Sequence, residues 1–128
     1  MTQPIAATTV TPVEQTPQRI HLFSASQKSK EQWLEEGNAH NGANRFEEAL
    51  FAYIQVIQFD PNCIAAYHGI GDVLFHLEYD DEALIAYERA IQLDPDNDYA
   101  YNCKGNVLYR LNRYSQALAA YEHVTRLN

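Results

Sequence analysis

The feature that most constrains this chain is a period. The segments NRFEEALFAYIQVIQFDPN, EYDDEALIAYERAIQLDPD and NRYSQALAAYEHVTRLN lie over one another at a spacing of 34 residues. Columns then recur in phase: Gly37, Gly71 and Gly105; Ala49, Ala83 and Ala117; Leu50, Leu84 and Leu118; Tyr53, Tyr87 and Tyr121. Trp33, Tyr67 and Tyr101 form a further column, and Pro61 with Pro95 another. A fixed period of this length marks a stacked array of supersecondary units, none of which can bury its apolar face alone.

Within each unit the apolar spacing is helical. Ala83, Leu84, Tyr87, Ala90 and Ile91 follow the i, i+3, i+4, i+7, i+8 pattern of one helix face. The column glycines fall mid-helix, where glycine costs about 1 kcal/mol against alanine, so close packing against a partner helix must offset it. The aromatic four residues before each glycine sits one turn away, beside that partner. Asp60-Pro61 and Asp94-Pro95 close one helix and open the next, because proline disfavours a helical residue before it and suits a first turn. Paired helices are predicted at 30–43 and 46–59, 63–77 and 80–93, and 97–111 and 114–127.

These columns resemble the tetratricopeptide repeat, W-x2-L-G-x2-Y, then A-x3-F, then P, at the same period. The resemblance runs over residues 30–128. Glu36 and Lys104 stand where the motif has leucine and His40 where it has tyrosine, while Tyr79 comes one residue earlier than Phe46 and Tyr114. A looser first helix and an altered second turn are the expectations. The resemblance implies an all-α, right-handed helical-hairpin solenoid of three helix pairs. Its domain spans 28–128, with repeats at about 30–63, 64–97 and 98–128. Residues 1–27 precede it as an extended or disordered tail rich in Thr, Pro and Gln. The Ile20–Phe23 patch in that tail either covers the first helix or lies in the groove as an autoinhibitory plug.

The resemblance also implies a function. Family members are scaffolds whose first helices line a concave groove that binds peptides. Carried over column by column, that groove comprises Asn38 in the first repeat and His68, Asp72, Phe75 and His76 in the second. The third repeat supplies Tyr99, Asn102, Asn106, Tyr109 and Arg110. Asn38, Asp72 and Asn106 form a ladder along the floor. An amide there offers a donor and an acceptor to an extended backbone, or else supports the repeat itself; both roles stay open. Tyr99, Tyr109, Phe75 and Arg110 are residue types enriched at binding hot spots. The carboxylate clamp of one subfamily, which grips chaperone C-terminal tails, is matched only at Asn38. Leu34, Gly69, Tyr99 and Cys103 fill its other positions, which argues against such a tail as partner.

Composition sets the remaining limits. The formal charge is −8, from 17 acidic and 9 basic residues, which opposes binding to nucleic acid or to anionic membranes. No stretch approaches the roughly 20 apolar residues of a membrane helix, and the N-terminus lacks the pattern of a secretory signal. A cytoplasmic protein with Cys63 and Cys103 as free thiols is the expectation. His68, Asp72 and His76 share one helix face, but i to i+8 spans about 12 Å, so groove polarity rather than a metal site is the reading. No nucleophile elbow, phosphate loop or dinucleotide motif is present, so neither catalysis nor a cofactor is expected. The competing reading is self-assembly as a homodimer. The outer side of the last helix, with Leu118, Tyr121, Val124 and Leu127, has no following repeat to cover it.

Overall fold

The computed structural model describes residues 27–127, the side chain of Leu127 apart. The proposed tail, with Ile20–Phe23, lies outside the described residues. Six helices follow in order: α1 Lys30–Gly42, α2 Phe46–Phe59, α3 Ile64–His76, α4 Asp80–Leu93, α5 Asp98–Arg110 and α6 Tyr114–Leu127. Every boundary falls within one residue of the sequence expectation. The helices form three antiparallel pairs, α1–α2, α3–α4 and α5–α6, and each second helix also packs on the first helix of the next pair. The result is a helical-hairpin solenoid.

Local chemistry accounts for the boundaries. Ser29 opens α1 with a capping box: its Oγ accepts from the Gln32 amide at 3.1 Å, and the Gln32 side chain accepts from the Ser29 amide at 2.8 Å. Asp60 and Asp94 adopt extended backbone before their prolines. Their carboxylates then accept from the amides of Asn62 and Asp96, so each Asp-Pro step is a hydrogen-bonded turn. The turns inside the three pairs share one backbone. Asn44, Glu78 and Asn112 all lie in the left-handed region, at φ 61°, 65° and 64°. The amides of Arg45, Tyr79 and Arg113 reach back to the carbonyls of His40, Leu74 and Leu108, each at 2.8 Å. The altered second turn expected from Tyr79 is thus absent from the backbone. Only the residue type differs, glutamate replacing asparagine.

The core is built from the columns. Ala49, Tyr53, Val56, Ala66 and Val73 form one buried cluster, and Ala83, Tyr87 and Val107 a second. Tyr53 and Tyr87 are 1% and 2% exposed. The column glycines exist for these rings. A Cβ at Gly37 would lie 2.7 Å from Tyr53, at Gly71 2.6 Å from Tyr87, and at Gly105 2.5 Å from Tyr121. Gly69 belongs to the following repeat, yet a Cβ there would come within 2.2 Å of Tyr53 from the other side. One ring therefore seats against two repeats.

The departures from the motif are absorbed by polar contacts. Glu36 pairs with Lys28 at 2.5 Å and Lys104 with Glu88 at 3.6 Å. His40 accepts from the Arg45 guanidinium at 3.0 Å. Polar residues at these positions leave α1 with Gly37 as its one buried residue. Among the described residues no helix is long and apolar enough to cross a membrane.

Candidate peptide-binding groove

The sequence columns place Asn38, Asp72 and Asn106 on successive first helices, and each proves to be an acceptor for a tyrosine hydroxyl of its own repeat. Tyr53 donates to Asn38 Oδ1 at 2.7 Å, Tyr87 to Asp72 Oδ1, and Tyr121 to Asn106 Oδ1. The spacing is the same in each case, 15 residues. The buried ring thus keeps its polar end satisfied by a group on the groove floor. The supporting role left open for this ladder is filled; a binding role would use the lone pairs and amide hydrogens that remain.

Asp72 is the centre of the densest cluster. Its second carboxylate oxygen accepts from Tyr99 at 2.7 Å, so the third repeat reaches back to the second. Burial first, and the Asp72 carboxylate second, push the Tyr87 and Tyr99 phenols well above their ordinary range, which keeps both as donors. Burial likewise raises the Cys103 thiol that sits beside them. Cys63 and Cys103 are both free. A concavity of about 240 Å³ opens over this cluster, bordered by Phe75, His76, Tyr99 and Asn106 among others.

The histidines are both engaged. The Asn97 side-chain oxygen caps α5 by accepting from the Ala100 amide at 3.0 Å, which leaves its amide nitrogen to donate to His68 Nε2 at 2.8 Å. Burial holds the His68 pKa below its ordinary value, so the ring is neutral at pH 7. Its edge meets the Tyr99 ring, with centroids 4.8 Å apart. His76 Nδ1 donates to the Asp72 backbone carbonyl at 2.8 Å, and its ring stacks on Phe46. The two rings therefore serve different partners, and among the described residues no three potential ligands gather as a metal site.

Arg110 is tied down as well. Its Nε donates to both Asp80 oxygens at 2.9 and 3.0 Å, its Nη2 reaches Asp80 and the Phe75 carbonyl, and the guanidinium lies over the Phe75 ring. The sequence offered Arg110 as an anchor for a partner; the structure shows its charge held within the chain, joining the third repeat to the second. Tyr109, 62% exposed, packs edge-on against Tyr114, and Asn102 is exposed. Tyr99, Tyr109 and Asn102 are exposed, as are Asn38, His76 and Asn106.

At the other end of the array the same columns lose their cover. Leu50 and Leu84 are half-buried, whereas Leu118 is 57% exposed; Tyr121 and Val124 are half-exposed where Tyr53 and Val56 are buried. The side chain of Leu127 lies outside the described residues.

Repeated hairpins and a tyrosine seated between glycines define a helical-repeat solenoid. The profile described as "TPR repeat" matches residues 71–112, and that described as "Tetratricopeptide repeat" matches 98–128. Residues 71–128 thus carry tetratricopeptide repeats, and the α1–α2 hairpin before them repeats the same columns, which gives three hairpins in all. The fold is similar to the TPR2B domain of yeast Sti1 in its pHsp70 complex, with a TM-score of 0.74, 23% identity, and 77% and 78% of the two chains covered. The first TPR of Spaghetti (RPAP3), bound to the HSP90 peptide SRMEEVD, matches with a TM-score of 0.75 and 22% identity over 77% and 79%. The Arabidopsis OM64 TPR domain matches with a TM-score of 0.75 and 24% identity over 77% and 82%. No sequence among the curated proteins matches.

Proposed function

We propose that the chain is an adaptor that holds an extended segment of another protein in its concave groove and carries out no reaction of its own. The observation that carries this reading is the concavity over Asp72, with the exposed Tyr99 ring on its border and Tyr109 exposed on the same helix. Solved relatives of the same fold hold peptides, as the Spaghetti domain holds SRMEEVD. The charge of −8 opposes nucleic acid and anionic membranes as partners.

A photo-crosslinking residue in place of Tyr109, compared with one in place of the 66%-exposed Ile85 on α4, tests the reading. Adducts from a cell lysate at position 109 alone support the groove. Adducts at 85 alone, or equally at both, show that another surface does the work. The carboxylate-gripping residues of chaperone-tail binders are missing here, since Leu34, Gly69, Tyr99 and Cys103 hold those columns. A peptide ending in EEVD is therefore expected to bind no better than its C-terminally amidated form.

A second reading is self-assembly through the uncovered face of α6, favoured by the exposure of Leu118 beside half-exposed Tyr121 and Val124. Sedimentation of the wild type and Leu118→Glu decides it. A dimer that the substitution dissociates supports the reading; a monomer at every concentration removes it.

A further inference from the structure

The groove's electrostatics specify more than a generic peptide. Asp72 presents a carboxylate on the floor, and both hydrogen bonds it accepts come from neutral hydroxyls, Tyr87 and Tyr99. A carboxylate has about four lone-pair sites, so acceptor capacity remains on the side facing the concavity. Among the described residues no cation pairs with it. Arg110 is committed to Asp80, His68 is neutral, and the His76 Nδ1 hydrogen goes to a backbone carbonyl. Glu31 and Glu35, on α1, are exposed and add negative potential to the surface. The Tyr99 ring beside the carboxylate gives a cation a face to lie against.

We infer that the groove selects a peptide bearing an arginine or lysine side chain, received by the Asp72 carboxylate in the concavity beside Tyr99. This rests on the groove being the peptide-binding surface, and it adds which peptide. The cationic head completes the carboxylate's hydrogen bonding, while the stem lies along Phe75 and Tyr99. Asn38 and Asn106, one repeat to either side, meet the flanking backbone. An acidic segment or a free C-terminal carboxylate meets repulsion at the same point.

The test is selection of a displayed library of random dodecapeptides on the full chain, wild type and D72N. The wild-type pool is expected to converge on an arginine or lysine at one aligned position. In the leading peptide, synthesised with citrulline for that arginine or glutamine for that lysine, affinity should fall about tenfold or more, the size of a charged hydrogen bond. The citrulline exchange needs no protein variant, so it stands even if D72N folds poorly. In folded D72N the two peptides should bind alike. A pool without a basic position, or a basic preference that D72N leaves intact, overturns the inference. In those two cases loss of binding in Tyr109→Ala shows that the groove reading still holds. Binding indifferent to Tyr109→Ala, or an empty pool, overturns both.

Discussion

Alanine at Gly69 would place its Cβ 2.2 Å from Tyr53 Cζ, in a ring that is buried and cannot step aside, whereas at Gly42 nothing lies within 4 Å. The same substitution is therefore expected to act with opposite sign. Gly69→Ala should lose about 1–3 kcal/mol through overpacking, and Gly42→Ala should gain about 0.5 kcal/mol from helix propensity near a terminus; urea melts of both variants check it. Glu78 sits at φ 65° where Asn44 and Asn112 occupy the equivalent turns. Asparagine tolerates that conformation better, so Glu78→Asn should raise stability by about 1 kcal/mol. His68 supplies a pH dependence. Its pKa is lowered in the folded state by burial, so the unfolded chain binds the proton more readily. Its contribution is present above the ordinary histidine pKa and is lost as pH falls below it toward the folded value. The thermal midpoint should decline as pH is lowered from 7 to about 5.5, and less steeply in His68→Gln.

Arg110, in the last turn of α5, and Asp80, in the first turn of α4, face each other across consecutive repeats. Each charge also complements the dipole of its own helix. A double-mutant cycle with Arg110→Met and Asp80→Asn should give a coupling of about 1 kcal/mol, because the contact is two-pronged and partly buried; added salt should shrink it. This pair also marks where sequence reading stops. The helices were legible because Asp-Pro steps, column glycines and a 34-residue period each point to the same boundaries. The groove floor was legible because columns fix which face a residue shares. Partners 30 residues apart, such as Arg110 and Asp80, depend on how far one hairpin rises over the next, and no local pattern encodes that. The tyrosine–floor hydrogen bonds did leave a trace. A hydroxyl recurs 15 residues after a side-chain acceptor in all three repeats, and that regularity would have exposed them.

Across the whole array, burial is uneven. The rings of Tyr53 and Tyr87 are held from both sides, while Tyr121 at the last position has only its own repeat to seat against. In a structure whose units touch only their neighbours, local stability follows the number of faces covered. Amide exchange should therefore be slowest in α3 and α4 and fastest in α6 and α1. Uniform protection would mean that the three hairpins unfold as one body, and protection of α6 equal to that of α4 at high protein concentration would point to a second copy on that face.

The hydroxyls behind the groove floor have one further consequence. Tyr53 and Tyr87 are almost wholly buried, yet their oxygens decide how many lone pairs Asn38 and Asp72 can still offer outward. Tyr53→Phe would leave the residues that border the concavity unchanged and would nonetheless release an acceptor on Asn38. Ligand preference in such a chain can thus drift through its interior, so that two proteins with identical groove-lining residues need not recognise the same segment.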